Sequence, residues 1–126
     1  MGVFGINEML DMQRALRERY GDKWGGLSPE IGKSQLLWMI GEIGEVIDIK
    51  KKHGSGVANS ESDQRDHLVE ELADVLMYYN DILLCYGISA DELRRAYAEK
   101  FHTNMNRWQS SVSFRFVSQG ETSFEA

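Results

Sequence analysis

The chain has 126 residues, 42% of them hydrophobic and 27% charged, which suits one soluble globular domain and excludes a disordered or multidomain chain. A formal charge of −6 argues against a nucleic-acid partner, since holding phosphate backbones needs an excess of Lys and Arg. No apolar run approaches the roughly 18 residues that span a bilayer, and the N-terminus lacks a basic-then-apolar secretion signal, so the chain reads as cytoplasmic with no membrane partner.

One proline, Pro29, and four long stretches of helical periodicity predict an all-α fold, a bundle of four to five helices. The first helix is expected over 6–20, with Met9, Met12, Leu16 and Tyr20 on one side and a stop at Gly21. In the glycine-rich segment after it, Ser28 and Pro29 suit an N-cap and first helical position. The second helix then carries an apolar stripe of Leu36, Ile40, Ile43 and Ile47 to about residue 52. Its basic end, residues 50–52, suits the negative end of the helix dipole. A polar connection, GSGVANSES, leads to a third helix over 62–86, with Gly87 as its C-terminal stop. Cys85 lies there in the apolar run DILLCYG, has no second cysteine to pair with, and reads as a small buried hydrophobe. Ser89 and Glu92 form a capping-box pattern that opens a fourth helix to about residue 108. Residues 109–126 form a separate tail in which Val112, Phe114 and Phe116 alternate with Ser113, Arg115 and Val117, a lean toward a short strand.

Glu42 and Glu45 are three apart, as are Glu71 and Asp74, and residues at that spacing share a helix face about 5–6 Å apart at Cβ. A lone acidic pair of this kind is most often a solvated face. Here apolar residues flank both pairs, Ile40, Ile43, Val46 and Ile47 around the first and Leu72, Ala73, Val75 and Leu76 around the second. If the second and third helices pack antiparallel, four carboxylates converge, and hard oxygen ligands select Mg²⁺ or Mn²⁺ over zinc. On the fourth helix Lys100, Asn104 and Arg107 fall at i, i+4 and i+7. Alone that stripe reads as an exposed basic face or as salt-bridge partners of the acidic helices, but beside the acids it suits the phosphates of a metal-bound triphosphate. Trp24, Gln35, Trp38 and Tyr78 are candidates for holding a base, by stacking or by an amide at its edge. For Trp38 core packing is an equal reading. His53, His67 and His102 have no ligand spacing among themselves and read as surface or satisfied polar groups.

The segments EIGE at 42–45, EELAD at 70–74 and KFHTNMNRW at 100–108 together resemble the all-α nucleoside triphosphate pyrophosphohydrolases, the MazG-like and dimeric dUTPase/dCTPase superfamily. The resemblance covers about residues 35–108. It departs at Gly41, where the family pattern EExxE has its first acid. It implies a MazG-like bundle over residues 1–108, ligation of Mg²⁺ by Glu42, Glu45, Glu71 and Asp74, and a homodimer or homotetramer. The implied reaction is hydrolysis of a (d)NTP to the (d)NMP and pyrophosphate by metal-activated water, as in nucleotide-pool sanitation. Glu42 and Glu45 are the catalytic candidates, with Glu45 as general base. GSG at 54–56 lacks the Lys-Ser/Thr of a phosphate-binding glycine loop. A redox di-metal bundle would need Glu-x-x-His pairs, which are absent. A catalytically silent nucleotide-binding or regulatory module is the remaining alternative.

Overall fold

The computed structural model describes residues 2–53 and 63–107 and, within them, the side chains of all but residues 50–53. Four helices make up almost all of this: α1 (Ile6–Trp24), α2 (Pro29–His53), α3 (Asp63–Cys85) and α4 (Ala90–Arg107), with no strand among the described residues. The chain is all-α, as its periodicity predicts. The strand expected in the tail lies outside the described residues, as do the side chains of the basic stretch 50–52.

Helix ends follow local chemistry. The Gly5 N–H donates to Glu8 Oε1 at 2.7 Å, the reach-back half of a capping box at the start of α1. The stop expected at Gly21 does not occur. The backbone leaves helical angles at Tyr20 (φ −117°, ψ 17°), recovers, and continues to Trp24. An interior glycine weakens a helix by only about 1 kcal/mol, so Gly21 is passed through. What ends α1 is Gly25, at φ +79°, whose carbonyl accepts from Arg17 Nη1 at 2.9 Å. Ser28 Oγ accepts from the Ile31 N–H at 3.3 Å, so the expected cap of α2 is present. After α3 the Gly87 N–H meets the Leu84 carbonyl at 3.1 Å and the Ile88 N–H meets the Leu83 carbonyl at 2.8 Å. With Gly87 at φ +68° this pattern closes the helix C-terminus as a Schellman motif.

The chain divides into two compact units, Met1–Ser89 and Ala90–Ala126. In the first, α3 packs on both α1 and α2, most extensively on α2. The α2–α3 pairing is antiparallel, since Gly32 meets Cys85 and Tyr86, Gln35 meets Asp81, and Glu42 meets Glu71. The helices approach most closely at Gly32, where an added Cβ would lie 2.6 Å from the Tyr86 ring and 3.0 Å from Cys85 Cβ. The face of α2 turned inward contains Gly32, Gln35, Met39, Glu42, Val46 and Ile49, all buried or half-buried. It is not the apolar stripe read from sequence: Leu36, Ile40, Ile43 and Ile47 are 39, 62, 40 and 53% exposed. The seam between α2 and α3 is therefore polar at its middle, with apolar contacts at its ends where Ile49, Leu84 and Cys85 are buried. In the second unit α4 has acids in its first turn and Arg107 in its last, the order the helix dipole favours. Tyr97, Phe101 and Met105 form an exposed stripe along it.

Candidate active site

Glu71, Asp74, Tyr78 and Asp81 follow one another at i, i+3, i+7 and i+10, so α3 presents them as one stripe. Glu42 comes to the N-terminal half of that stripe from α2. Glu42, Glu71 and Asp74 each offer a carboxylate oxygen within 4.8 Å of the other two. Oxygens sharing one Mg²⁺ at about 2.0–2.1 Å stand about 3–4 Å apart, so small side-chain rotations suffice, and the three can hold a metal ion. Partial burial holds the Glu42 carboxyl above the ordinary carboxylate range. A hydrogen bond with Glu71 and the charges of Glu71, Asp74 and Glu45 push it the same way. Mutual repulsion of this kind is relieved by a cation.

Glu45 is exposed and is not among the three converging carboxylates, although its charge reaches Glu42. Gly41, where the family pattern has an acid, faces open space: an added Cβ would meet nothing within 4 Å. His67, read from sequence as a surface or satisfied polar group, places Nε2 3.3 Å from Glu71 Oε2. Its i, i+4 spacing to Glu71 was the available signal.

A cavity of about 410 Å³ opens beside Asp74. Trp24, Gln35, Trp38 and Tyr78 all line it, so the structure brings the four proposed base-binding residues together. Burial, and then the charges of Glu42, Asp74 and Asp81, push the Tyr78 hydroxyl pKa up.

The cavity lining includes Gln13 and Asp81, which the sequence reading passed over. Asp81 is 2% exposed, and Arg17 clasps it with Nε to Oδ1 at 2.8 Å and Nη2 to Oδ2 at 2.5 Å. The pairing, working against burial, raises the Arg17 pKa further. Gln35 Nε2 donates to Asp81 Oδ2, and Gln13 Nε2 lies 3.4 Å from Oδ1. The Arg17 guanidinium also lies over the Trp24 ring, 5.6 Å from its centroid. Gln13 and Arg17 are four apart on α1, and Asp81 is three beyond Tyr78, so the spacings were visible, but nothing in the sequence pairs α1 with α3. Lys100, Asn104 and Arg107 lie exposed on α4, in the second unit.

A facing set of carboxylates beside an aromatic, amide-lined cavity has the chemistry of a site for a cation and an organic anion. Residues 31–108, more than half of the chain, match the family model described as the MazG nucleotide pyrophosphohydrolase domain, and the chain belongs to that family. Comparison with curated proteins and with solved structures gave no match. No helix among the described residues is long and apolar enough to cross a membrane.

Proposed function

We propose that the chain hydrolyses a nucleoside or deoxynucleoside triphosphate between its α and β phosphates, water and (d)NTP giving (d)NMP and pyrophosphate. The observation that carries this reading is the convergence of Glu42, Glu71 and Asp74, the last of which lines the cavity, in a chain of the MazG family. These residues would hold Mg²⁺, for which Mn²⁺ can substitute, with Glu45 one turn along α2 as the fourth carboxylate. When bound, the cation polarises phosphate oxygens and lowers the pKa of water. Glu45, exposed beside the cluster, is our candidate for taking the proton of the attacking water. Lys100 and Arg107 would neutralise phosphate oxygens, with the Asn104 amide beside them, and Trp24, Trp38, Tyr78 and Gln35 would hold the nucleoside.

In this reading residues 1–108 act as the hydrolase domain and 109–126 as an appended tail. The exposed Leu36, Ile40, Ile43 and Ile47 support a homodimer or homotetramer, because a contiguous apolar helix face is stabilised by burial against a copy of itself. We place the enzyme in the cytoplasm, clearing the nucleotide pool. The test is incubation with each of the eight common nucleotides and Mg²⁺, resolving nucleotide products from pyrophosphate. Monophosphate and pyrophosphate in equal amounts are expected from at least one nucleotide. Binding without turnover would instead mark a silent nucleotide-binding module.

A further inference from the structure

We propose that the buried Asp81–Arg17 pair is a positioning device that fixes the hydrogen-bonding polarity of the cavity, so that the pocket selects a nucleobase edge carrying an N–H donor. The inference rests on the nucleotide reading above and specifies what the pocket recognises.

A carboxylate accepts hydrogen bonds and a guanidinium only donates them. Arg17 occupies one lobe of each Asp81 oxygen in a two-point clasp, and both side chains are almost wholly buried, at 5 and 3% exposure. Every further contact to Asp81 must therefore come from a donor. Gln35 meets it with Nε2, and Gln13 turns the same atom toward it at longer range. An amide is planar with its oxygen and nitrogen on opposite arms, so committing one Nε2 N–H to Asp81 fixes which arm of each glutamine keeps the acceptor Oε1 at the cavity that both line, beside the second N–H of the same nitrogen. A free glutamine can turn over and present either arm. These two cannot turn without setting a carbonyl oxygen against a buried carboxylate, which leaves like charges facing and a donor unmet. The pocket thus offers acceptors at a fixed place, and a base with an imino or amino N–H at its edge satisfies them. A base whose edge nitrogen is fully substituted leaves them unmet.

The experiment compares each standard deoxynucleotide with its edge-methylated counterpart. The probes are 3-methyl-dUTP, N4,N4-dimethyl-dCTP, N6,N6-dimethyl-dATP and 1,N2,N2-trimethyl-dGTP, each against its parent. They are tested on the wild type, on Gln35→Met, which keeps the volume and lacks the amide, and on Asp81→Asn, which lets Gln35 turn. For the best parent, methylation should raise KM at least about tenfold in the wild type with kcat changed far less. In Gln35→Met that penalty should shrink to about threefold or less, because the acceptor is gone. In Asp81→Asn, where Gln35 can turn, the penalty should shrink likewise, and a penalty equal to the wild type's would overturn the role of the pair; should that variant fail to fold, Gln35→Met alone carries the comparison.

A methylation penalty equal in wild type and Gln35→Met, or none in wild type, overturns the inference while leaving the hydrolase reading intact. If no nucleotide turns over, the same pairs are compared by calorimetric titration, and the penalty on Kd is read in its place. Absence of binding by all the parents would overturn both.

Discussion

Two carboxylate clusters sit on the same face of α3, Glu71 and Asp74 at one level and Asp81 two turns further on, about 10 Å along the axis. The neighbouring helices treat them oppositely. At the first level α2 supplies another acid, Glu42, so negative groups face each other and the Glu42 pKa rises. At the second α1 supplies Arg17, and α1 and α2 add the amides of Gln13 and Gln35, so the carboxylate is neutralised within the chain. The residue type is the same and the role is not. An acid opposite acids could hold a cation, and an acid opposite an arginine is part of the scaffold that lines the pocket.

The largest effect should come from breaking the second cluster. Arg17→Met leaves Asp81 buried without its cation, and such unpairing costs about 3–5 kcal/mol, measured as a fall in unfolding free energy in urea. The contrast weakens if the variant is as stable as wild type. In the first cluster the same chemistry should act on turnover instead. Asp74→Asn is expected to lower kcat at least about 100-fold, equivalent to about 2.7 kcal/mol of transition-state stabilisation, while the metal-free melting temperature stays level or rises slightly. A third substitution probes the seam that holds both levels in register. Gly32→Ala pushes a methyl group against Tyr86 and Cys85 and should destabilise by about 1–3 kcal/mol, read from the same urea curves.

The smallest effect is a pH dependence. The folded chain holds the Glu42 proton more tightly than the unfolded chain does, so between the ordinary carboxylate pKa and the raised one it binds more protons than the unfolded state. Stability without metal should therefore fall as pH rises through that window, and Glu42→Gln should remove this slope. Urea unfolding at a series of pH values from about 4 to about 7 would show it. An identical slope in the variant would mean that Glu42 does not feel the other acids.

The helices and the acids were legible because they are local patterns. Capping at Ser28, the stop at Gly87 and the spacing of Glu71 and Asp74 are patterns that each span only a few residues. Which face turns inward was not local. The apolar stripe of α2 looked like its core-facing side, yet the inward side is set by the polar partners of Gln35 and Glu42 and by close approach at Gly32. A purely hydrophobic criterion therefore chose the face that remains exposed. Arg17 and Gln13 escaped notice for a related reason. Their partner, Asp81, lies more than sixty residues away, and no periodicity within α1 announces a bond to α3.

The contrast between the two clusters is tested most directly by titrating the purified protein with Mn²⁺ and following the free ion by electron paramagnetic resonance, in the wild type and in Asp74→Asn. Wild type should remove Mn²⁺ from solution saturably, with Mg²⁺ competing, and folded Asp74→Asn should bind it at least about tenfold more weakly. Equal Mn²⁺ binding by the two proteins, or none by the wild type, would contradict the assignment of Glu42, Glu71 and Asp74 as the metal site.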